Sequence, residues 1–349
     1  MYPSRVEKLF KSSNCDAYLI TSPENLYYFS GFTGGEGALF LTRSEMLLFT
    51  DSRYTVQAKL EAPDFLVFDV AEKPLMKFLK DKKEPIGFED GFCTFREFLN
   101  LKKNAPSVTF VPATEEIQKV RMIKTDTEIA LIEKAASIAD DAFLYILPRI
   151  KPEKTEKEIA LDLEFFMRKN GAEGTSFETI SASGVRSSMP HGIATDKKIE
   201  IGDFLTLDFG CKFRGYCSDM TRTVVLGKAS ERQKEIYETV LKAQRAALEN
   251  IRAGMKTKEI DAVARNMIEN AGFKGCFGHG LGHSLGLEVH EKPSLSPKSE
   301  DILQENMLMT IEPGIYIDGF GGVRIEDLVV VTKDGYKNLV HSPKELIEL

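Results

Sequence analysis

Three of the five histidines in this chain, His279, His283 and His290, fall within one stretch of sixteen residues, CFGHGLGHSLGLEVHE, from Cys276 to Glu291. His279 and His283 stand four apart, the spacing of a zinc pair on a helix. The interleaved glycines Gly278, Gly280, Gly282 and Gly286 oppose a helix, each costing about 1 kcal/mol relative to alanine. A loop or irregular strand that lets backbone approach a ligand fits better, so one histidine can bind metal while the others bind substrate. Four carboxylates stand in similar surroundings, Asp208 and Asp219 in one apolar segment, Glu312 and Glu326 in another. A carboxylate in an apolar strand near a second one must be protonated, paired or metal-bound. Four such charges balance two divalent cations, the composition of a two-metal hydrolytic site with ions roughly 3.5–4 Å apart. A fourth histidine, His191, lies in a loop, SSMPHG; His341, in a polar tail, reads as structural.

The acids need elements that bring them together. Residues 203–225 read as a hairpin in which Leu205, Leu207 and Phe209 share one face and Asp208 takes the other. A turn centred on Phe213–Arg214 sets Asp208 directly opposite Asp219. Residues 309–331 read as a second hairpin, with Glu312 and Glu326 equidistant from Gly319 and each within a strand of Ile, Tyr and Val. Upstream, Thr125-Asp-Thr-Glu128 is a capping box. It opens a helix whose Ile129, Ile132, Ala136, Ala139, Phe143 and Ile146 form one face. From there the chain repeats itself at an offset of 101 residues: Ile150 matches Ile251, Lys157-Glu-Ile159 matches Lys258-Glu-Ile260, and Gly171 and Gly174 match Gly272 and Gly275. Two helix–helix–sheet halves related by a pseudo-twofold are expected, with a site at their junction. Residues 1 to about 115 alternate strand-length apolar runs at 17–20, 38–41, 46–49 and 65–68 with helical stretches, a small α/β domain. Its Gly31–Gly37 segment lacks the Gly-Lys-Ser/Thr of a phosphate loop and reads as a turn.

At 349 residues the chain suits two domains, placed at 1–118 and 119–349. A net charge of −7 with no long basic run argues against nucleic acid or an anionic membrane as partner. No apolar run reaches the roughly 18 residues that span a bilayer. The N-terminus has no apolar core of a signal peptide, and five scattered cysteines without a CxxC suit reduced thiols, so a cytoplasmic location is expected.

From about Thr125 to Val331 the chain resembles the pita-bread metallopeptidases, the group of methionine aminopeptidase, Xaa-Pro aminopeptidase and Xaa-Pro dipeptidase (prolidase). The residues that carry the likeness are Asp208-Phe-Gly, Gly215-Tyr-Cys-Ser-Asp-Met-Thr-Arg-Thr, the histidine run, Ile311-Glu-Pro-Gly and Val323-Arg-Ile-Glu-Asp. Ser30-Gly-Phe-Thr-Gly34 and Thr50-Asp-Ser-Arg-Tyr-Thr55 resemble the creatinase-type N-domain of the proline-specific branch, which methionine aminopeptidase normally lacks. The resemblance implies an α+β chain, with a C-terminal pita-bread domain and a smaller N-terminal α/β domain that serves oligomerisation and closure of the substrate site. It implies metal ligation by Asp208, Asp219, His283, Glu312 and Glu326, with Asp219 and Glu326 bridging, and substrate binding by His191, His279, His290 and Arg324. With a single imidazole among oxygen ligands, Mn²⁺ or Co²⁺ suits the pair better than Zn²⁺. His191 and His290 are expected to donate to the scissile amide, and Glu312 to pass a proton to the leaving nitrogen. The four histidine-run glycines then read as room for a substrate backbone. The expected activity is that of an Xaa-Pro aminopeptidase acting as a homodimer; the alternative is a prolidase confined to dipeptides. A metal-free binding module or a creatinase-like amidinohydrolase is the lesser reading, because such members lose the acidic ligands.

Overall fold

The computed structural model describes residues 2–11 and 15–349. In it the chain forms two compact units, 1–121 and 122–349, so the 118/119 junction read from sequence falls within the helix Thr114–Met122.

In the first unit the four apolar runs are strands of one six-stranded mixed sheet. The order is Leu66–Asp69, Met46–Thr50, Ala38–Thr42, Ala17–Ile20, Ile86–Phe88 and Phe110–Pro112. Its central strand Ala17–Ile20 is buried throughout, so it carries an unbroken apolar run rather than an alternating one. Phe40, Phe49, Phe88 and Phe110 fill the core on one side of the sheet. The 31–37 segment links the helix Pro23–Ser30 to the strand Ala38–Thr42, with Gly31 and Gly35 at φ 81° and 73°. It is a connecting turn.

The second unit runs twice through the same series. The first pass is helix Asp126–Ile146, helix Glu156–Lys169, strand Ile180–Ser183 and a hairpin over 204–225. The second is helix Glu231–Asn250, helix Thr257–Ile268, strand Gly282–Ser284 and a hairpin over 308–331. The capping box at Thr125 is formed, and Glu128 uses its other oxygen to accept from Tyr216 of the first hairpin at 2.9 Å. Five of the six predicted face residues are buried; Ile129 is half-buried. Gly171 and Gly272 both stop their helices at positive φ, 102° and 93°, which only glycine adopts freely. The second glycine pair diverges, Gly275 having φ 81° while Gly174 begins a strand.

Among the described residues no helix is long and apolar enough to cross a membrane.

Candidate active site

Both hairpins are broken ladders; Asp219, Glu312 and Glu326 emerge at the breaks, and Asp208 from within a ladder. In the first, Phe204–Phe209 pairs with Met220–Val225, and Cys211–Phe213 pairs with Tyr216–Cys217. Arg214 and Gly215, at φ 47° and 77°, form the two-residue turn. The turn therefore lies one residue further along than the sequence suggested, and the register moves by two: Asp208 faces Thr221, not Asp219. A shift of two keeps every side chain on its face, so Asp208 and Asp219 still project together. Asp219 sits in the gap beside Gly210. A Cβ on that glycine would lie 1.9 Å from the Ser218 carbonyl oxygen, so only glycine allows the strands to close at the break.

In the second hairpin Leu308–Ile311 pairs with Asp327–Val331, and Gly314–Ile317 with Gly321–Arg324. All these pairs are symmetric about Gly319, as the spacing predicted. Glu312 and Glu326 occupy the break between the two ladders rather than the strands themselves. Their backbone N–H groups leave the hairpin, that of Glu312 to Leu281 at 2.8 Å and that of Glu326 to Thr221 at 3.1 Å. The second bond stitches the two hairpins together.

The acids meet His283, which sits at a bulge in the short pair Gly282–Ser284 and Glu291–Leu295. Its Nδ1 lies 3.1 Å from the Ser284 carbonyl and donates to it, leaving the Nε2 lone pair facing Asp219 Oδ2 at 3.7 Å and Glu312 Oε1 at 3.4 Å. Burial holds His283 down at about 4, with His290 adding to the effect, so the imidazole is neutral near pH 7. One ligand atom from each of Asp219, His283 and Glu326 lies within 4.8 Å of the others. Arg324 is buried and tethers the fourth acid, donating from Nη2 to Asp208 Oδ2 at 2.6 Å.

The electrostatics of this cluster favour a positive charge at its centre. Among the described residues, Asp208 Oδ1, Asp219 Oδ1 and Glu326 Oε1 are buried with no hydrogen-bond partner. Burial pushes Asp219 and Glu326 well above the usual carboxylate range, and neighbouring acids add to it. Burial also raises Glu312 to about 8, with Arg324 opposing and Asp208 reinforcing. Buried carboxylate oxygens and a neutral imidazole nitrogen, lone pairs inward, are the donor set of divalent cations. The residues present fit such ions.

The cluster lies in a cavity of about 500 Å³ lined also by His191, His279, His290 and apolar side chains including Phe177 and Ile193. His191 and His290 are exposed, and the His290 ring sits 4.4 Å from that of His283. His279 differs. Its Nδ1 lies 2.8 Å from the Gly280 carbonyl and its Nε2 2.9 Å from the Tyr316 hydroxyl, so both nitrogens are engaged within the chain. Tyr316 in turn accepts from Arg324 Nη1 at 2.8 Å. His341 is exposed and outside the cavity. The glycines of the histidine run also serve another purpose than the one expected. A Cβ on Gly282 would lie 1.9 Å from the Thr310 carbonyl oxygen, one on Gly280 2.7 Å from that of Leu295, and one on Gly286 2.6 Å from the Glu291 carboxylate. They let the loop pack against its own chain; no neighbour crowds Gly278.

Sequence reasoning missed three residues that aim the acids. Thr221 Oγ1 donates to Glu326 Oε2 at 2.7 Å and accepts from Arg324 Nε at 3.1 Å. Thr310 Oγ1 donates to Glu312 Oε1 at 3.2 Å and accepts from the His283 N–H at 3.0 Å. Tyr316 links Arg324 to His279. The alternation of strand faces was the available signal, since Thr221 shares a face with Asp219 and Thr310 with Glu312.

Comparison with known proteins agrees with this geometry. Residues 130–333 match the model of metallopeptidase family M24, and residues 4–123 that of the creatinase/prolidase N-terminal domain. The chain is 42% identical to a Pyrococcus furiosus protein named Xaa-Pro dipeptidase, covering 98% of this chain and 99% of that one. A Bacillus anthracis structure titled Xaa-Pro dipeptidase superposes with a TM-score of 0.96 at 41% identity over the full length of both chains. A Thermotoga maritima structure titled X-Pro aminopeptidase gives 0.91, also at 41%, over 98% of this chain and 100% of that one.

Proposed function

The chain belongs to metallopeptidase family M24, with the creatinase/prolidase domain preceding its pita-bread catalytic domain, and on that premise we propose that it is an Xaa-Pro dipeptidase working with two divalent cations. This replaces the aminopeptidase expected from sequence: relatives named Xaa-Pro dipeptidase or prolidase match over nearly the whole chain, in sequence and in structure. The aminopeptidase remains the second reading, favoured by the Thermotoga maritima structure at equal identity.

The observation that carries the reading is the set of three buried, unpartnered carboxylate oxygens around a neutral imidazole. Asp208, Asp219, His283, Glu312 and Glu326 would hold the ions, with Mn²⁺ or Co²⁺ the best fit to a mostly oxygen donor set. When bound, such a pair supplies hydroxide at neutral pH and polarises the scissile carbonyl. The protein does the rest. Arg324 and Thr221 fix the directions of Asp208 and Glu326. His191 and His290, exposed at the cavity, donate to the substrate's scissile amide as its oxygen gains charge. Glu312 takes up the proton that the attacking water gives up and passes it to the departing nitrogen. An Xaa-Pro bond is a tertiary amide with no N–H, so recognition rests on its carbonyl and on the apolar wall around Phe177 and Ile193. His279, with both nitrogens engaged, orders Tyr316 and Arg324 rather than the peptide. The first unit is assigned to homodimer formation, which light scattering of the full chain tests.

One assay separates the readings. Matched Xaa-Pro dipeptide and Xaa-Pro-Yaa tripeptide are offered to the cation-loaded enzyme. Hydrolysis of the dipeptide alone is expected, and efficient release of the first residue from the tripeptide would establish the aminopeptidase instead.

A further inference from the structure

Directly behind the acids lies a buried ionic cluster that the reaction does not touch. Arg222, 1% exposed at its side chain, pairs through Nη2 with fully buried Asp327 at 2.8 Å. It follows Thr221 in the chain as Asp327 follows Glu326. Arg222 Nη1 donates to the Thr221 carbonyl at 2.9 Å and also to the Glu326 carbonyl. Its remaining donors hold the C-terminal segment, Nη2 to the Ser342 carbonyl at 2.9 Å and Nε to that of Pro343 at 3.0 Å. Asp327 Oδ2 accepts from Lys344 Nζ at 2.6 Å, and from Gln244 and Asn338 at 3.0 Å each.

Arg222 belongs to the first hairpin and Asp327 to the second. Their pair is thus a bolt between the duplicated halves, beside the Glu326 N–H bond to Thr221. Two cations bridged by carboxylates from both hairpins require those hairpins to keep one separation. A fork that grips the main chain of Thr221 and Glu326 at once is placed to set it, because an arginine holds several acceptors in one rigid plane. We propose that Arg222 and Asp327, closed by Lys344 of the C-terminal segment, are positioning residues that set the spacing of the Asp219 and Glu326 carboxylates and so the affinity for the cation pair. The inference rests on the two-cation reading above.

Its test is calorimetric titration of the metal-stripped full chain with Co²⁺, together with the Co²⁺ visible spectrum and a thermal melt. The expected result for Arg222→Lys is a 10–100-fold loss of affinity for at least one ion, the range seen for groups that support metal ligands, with an altered spectrum. Lys344→Met, at a side chain 20% exposed, should give a smaller loss in the same direction, and Lys344→Arg should restore affinity and spectrum. Folded variants that bind two Co²⁺ with wild-type affinity and spectrum would overturn the proposal. If Arg222→Lys does not fold, the Lys344→Met and Lys344→Arg pair decides alone. A wild-type chain that binds fewer than two ions would instead defeat the two-cation reading, leaving the two failures distinguishable.

Discussion

The two hairpins of the catalytic unit deliver the same cargo by different means. The 308–331 hairpin is symmetric about its turn, and its two glutamates stand opposite each other in a gap between ladders. The 204–225 hairpin offers one aspartate from within a ladder, facing Thr221, and the other from a gap closed by Gly210. Two like charges directly across an intact ladder destabilise it. The chain avoids that penalty once by opening the ladder at both acids, and once by staggering them. The hairpins also depend on each other: Asp208 of the first takes its hydrogen bond from Arg324 of the second, and Glu326 of the second takes one from Thr221 of the first. The duplication has kept the function of the hairpins without keeping their register.

The largest effect expected is from removing one proposed metal-binding charge from either hairpin. Asp219→Asn and Glu326→Gln should each lower kcat/KM by more than about 100-fold, beyond the range of merely supporting groups, while circular dichroism shows a folded chain. A marked inequality between them would mean that the hairpins do not share the ions. Arg324→Lys comes next. Lysine cannot reach Asp208, Thr221 and Tyr316 from one plane, so a loss of about 10–100-fold in metal affinity is expected, measured by titration. Thr221→Val and Thr310→Val remove one orienting hydroxyl per hairpin and should cost about tenfold or less in metal affinity. The Thr221 change should be the larger, because that hydroxyl serves both hairpins.

The smallest effect is on stability. Glu312 is raised to about 8 in the fold from 4.5, so its contribution is fully present below about 4.5 and is lost as pH rises through about 8. Asp219 and Glu326 shift in the same direction. The metal-stripped chain should therefore be weakened by these acids as pH rises. Cation binding, which requires them ionised, should raise Tm more at pH 8 than at pH 5.5. An equal gain at both values, read by calorimetry, would place the ions elsewhere.

Most of the site was legible because strand alternation and a symmetric turn are local. Glu312 and Glu326 could be placed opposite each other from Gly319 alone. Asp208 and Asp219 could be placed on one face even with the register wrong by two, since parity survives that error. What could not be read was tertiary. Nothing local to Thr221 or Thr310 says which carboxylate it will meet, and nothing near Arg222 announces Ser342 and Pro343 as acceptors. His279 looked like its neighbours in sequence, yet Tyr316, arriving from the second hairpin, takes its free nitrogen. The glycines of the histidine run invited a ligand-based reading, but Gly282 is explained by the Thr310 carbonyl. The N-terminal fold was legible in its strand runs; the order that sets Ala17–Ile20 at the centre was not, because sheet order is fixed by long-range pairing.

The central claim is that two cations sit between the hairpins. Anomalous diffraction at the manganese edge, from crystals of the Mn²⁺-loaded chain, tests it most directly. Two peaks roughly 3.5–4 Å apart are expected, with Asp219 and Glu326 between them and His283 Nε2 on one. A chain that hydrolyses its substrate with no peak there, or with ions only elsewhere, would contradict it.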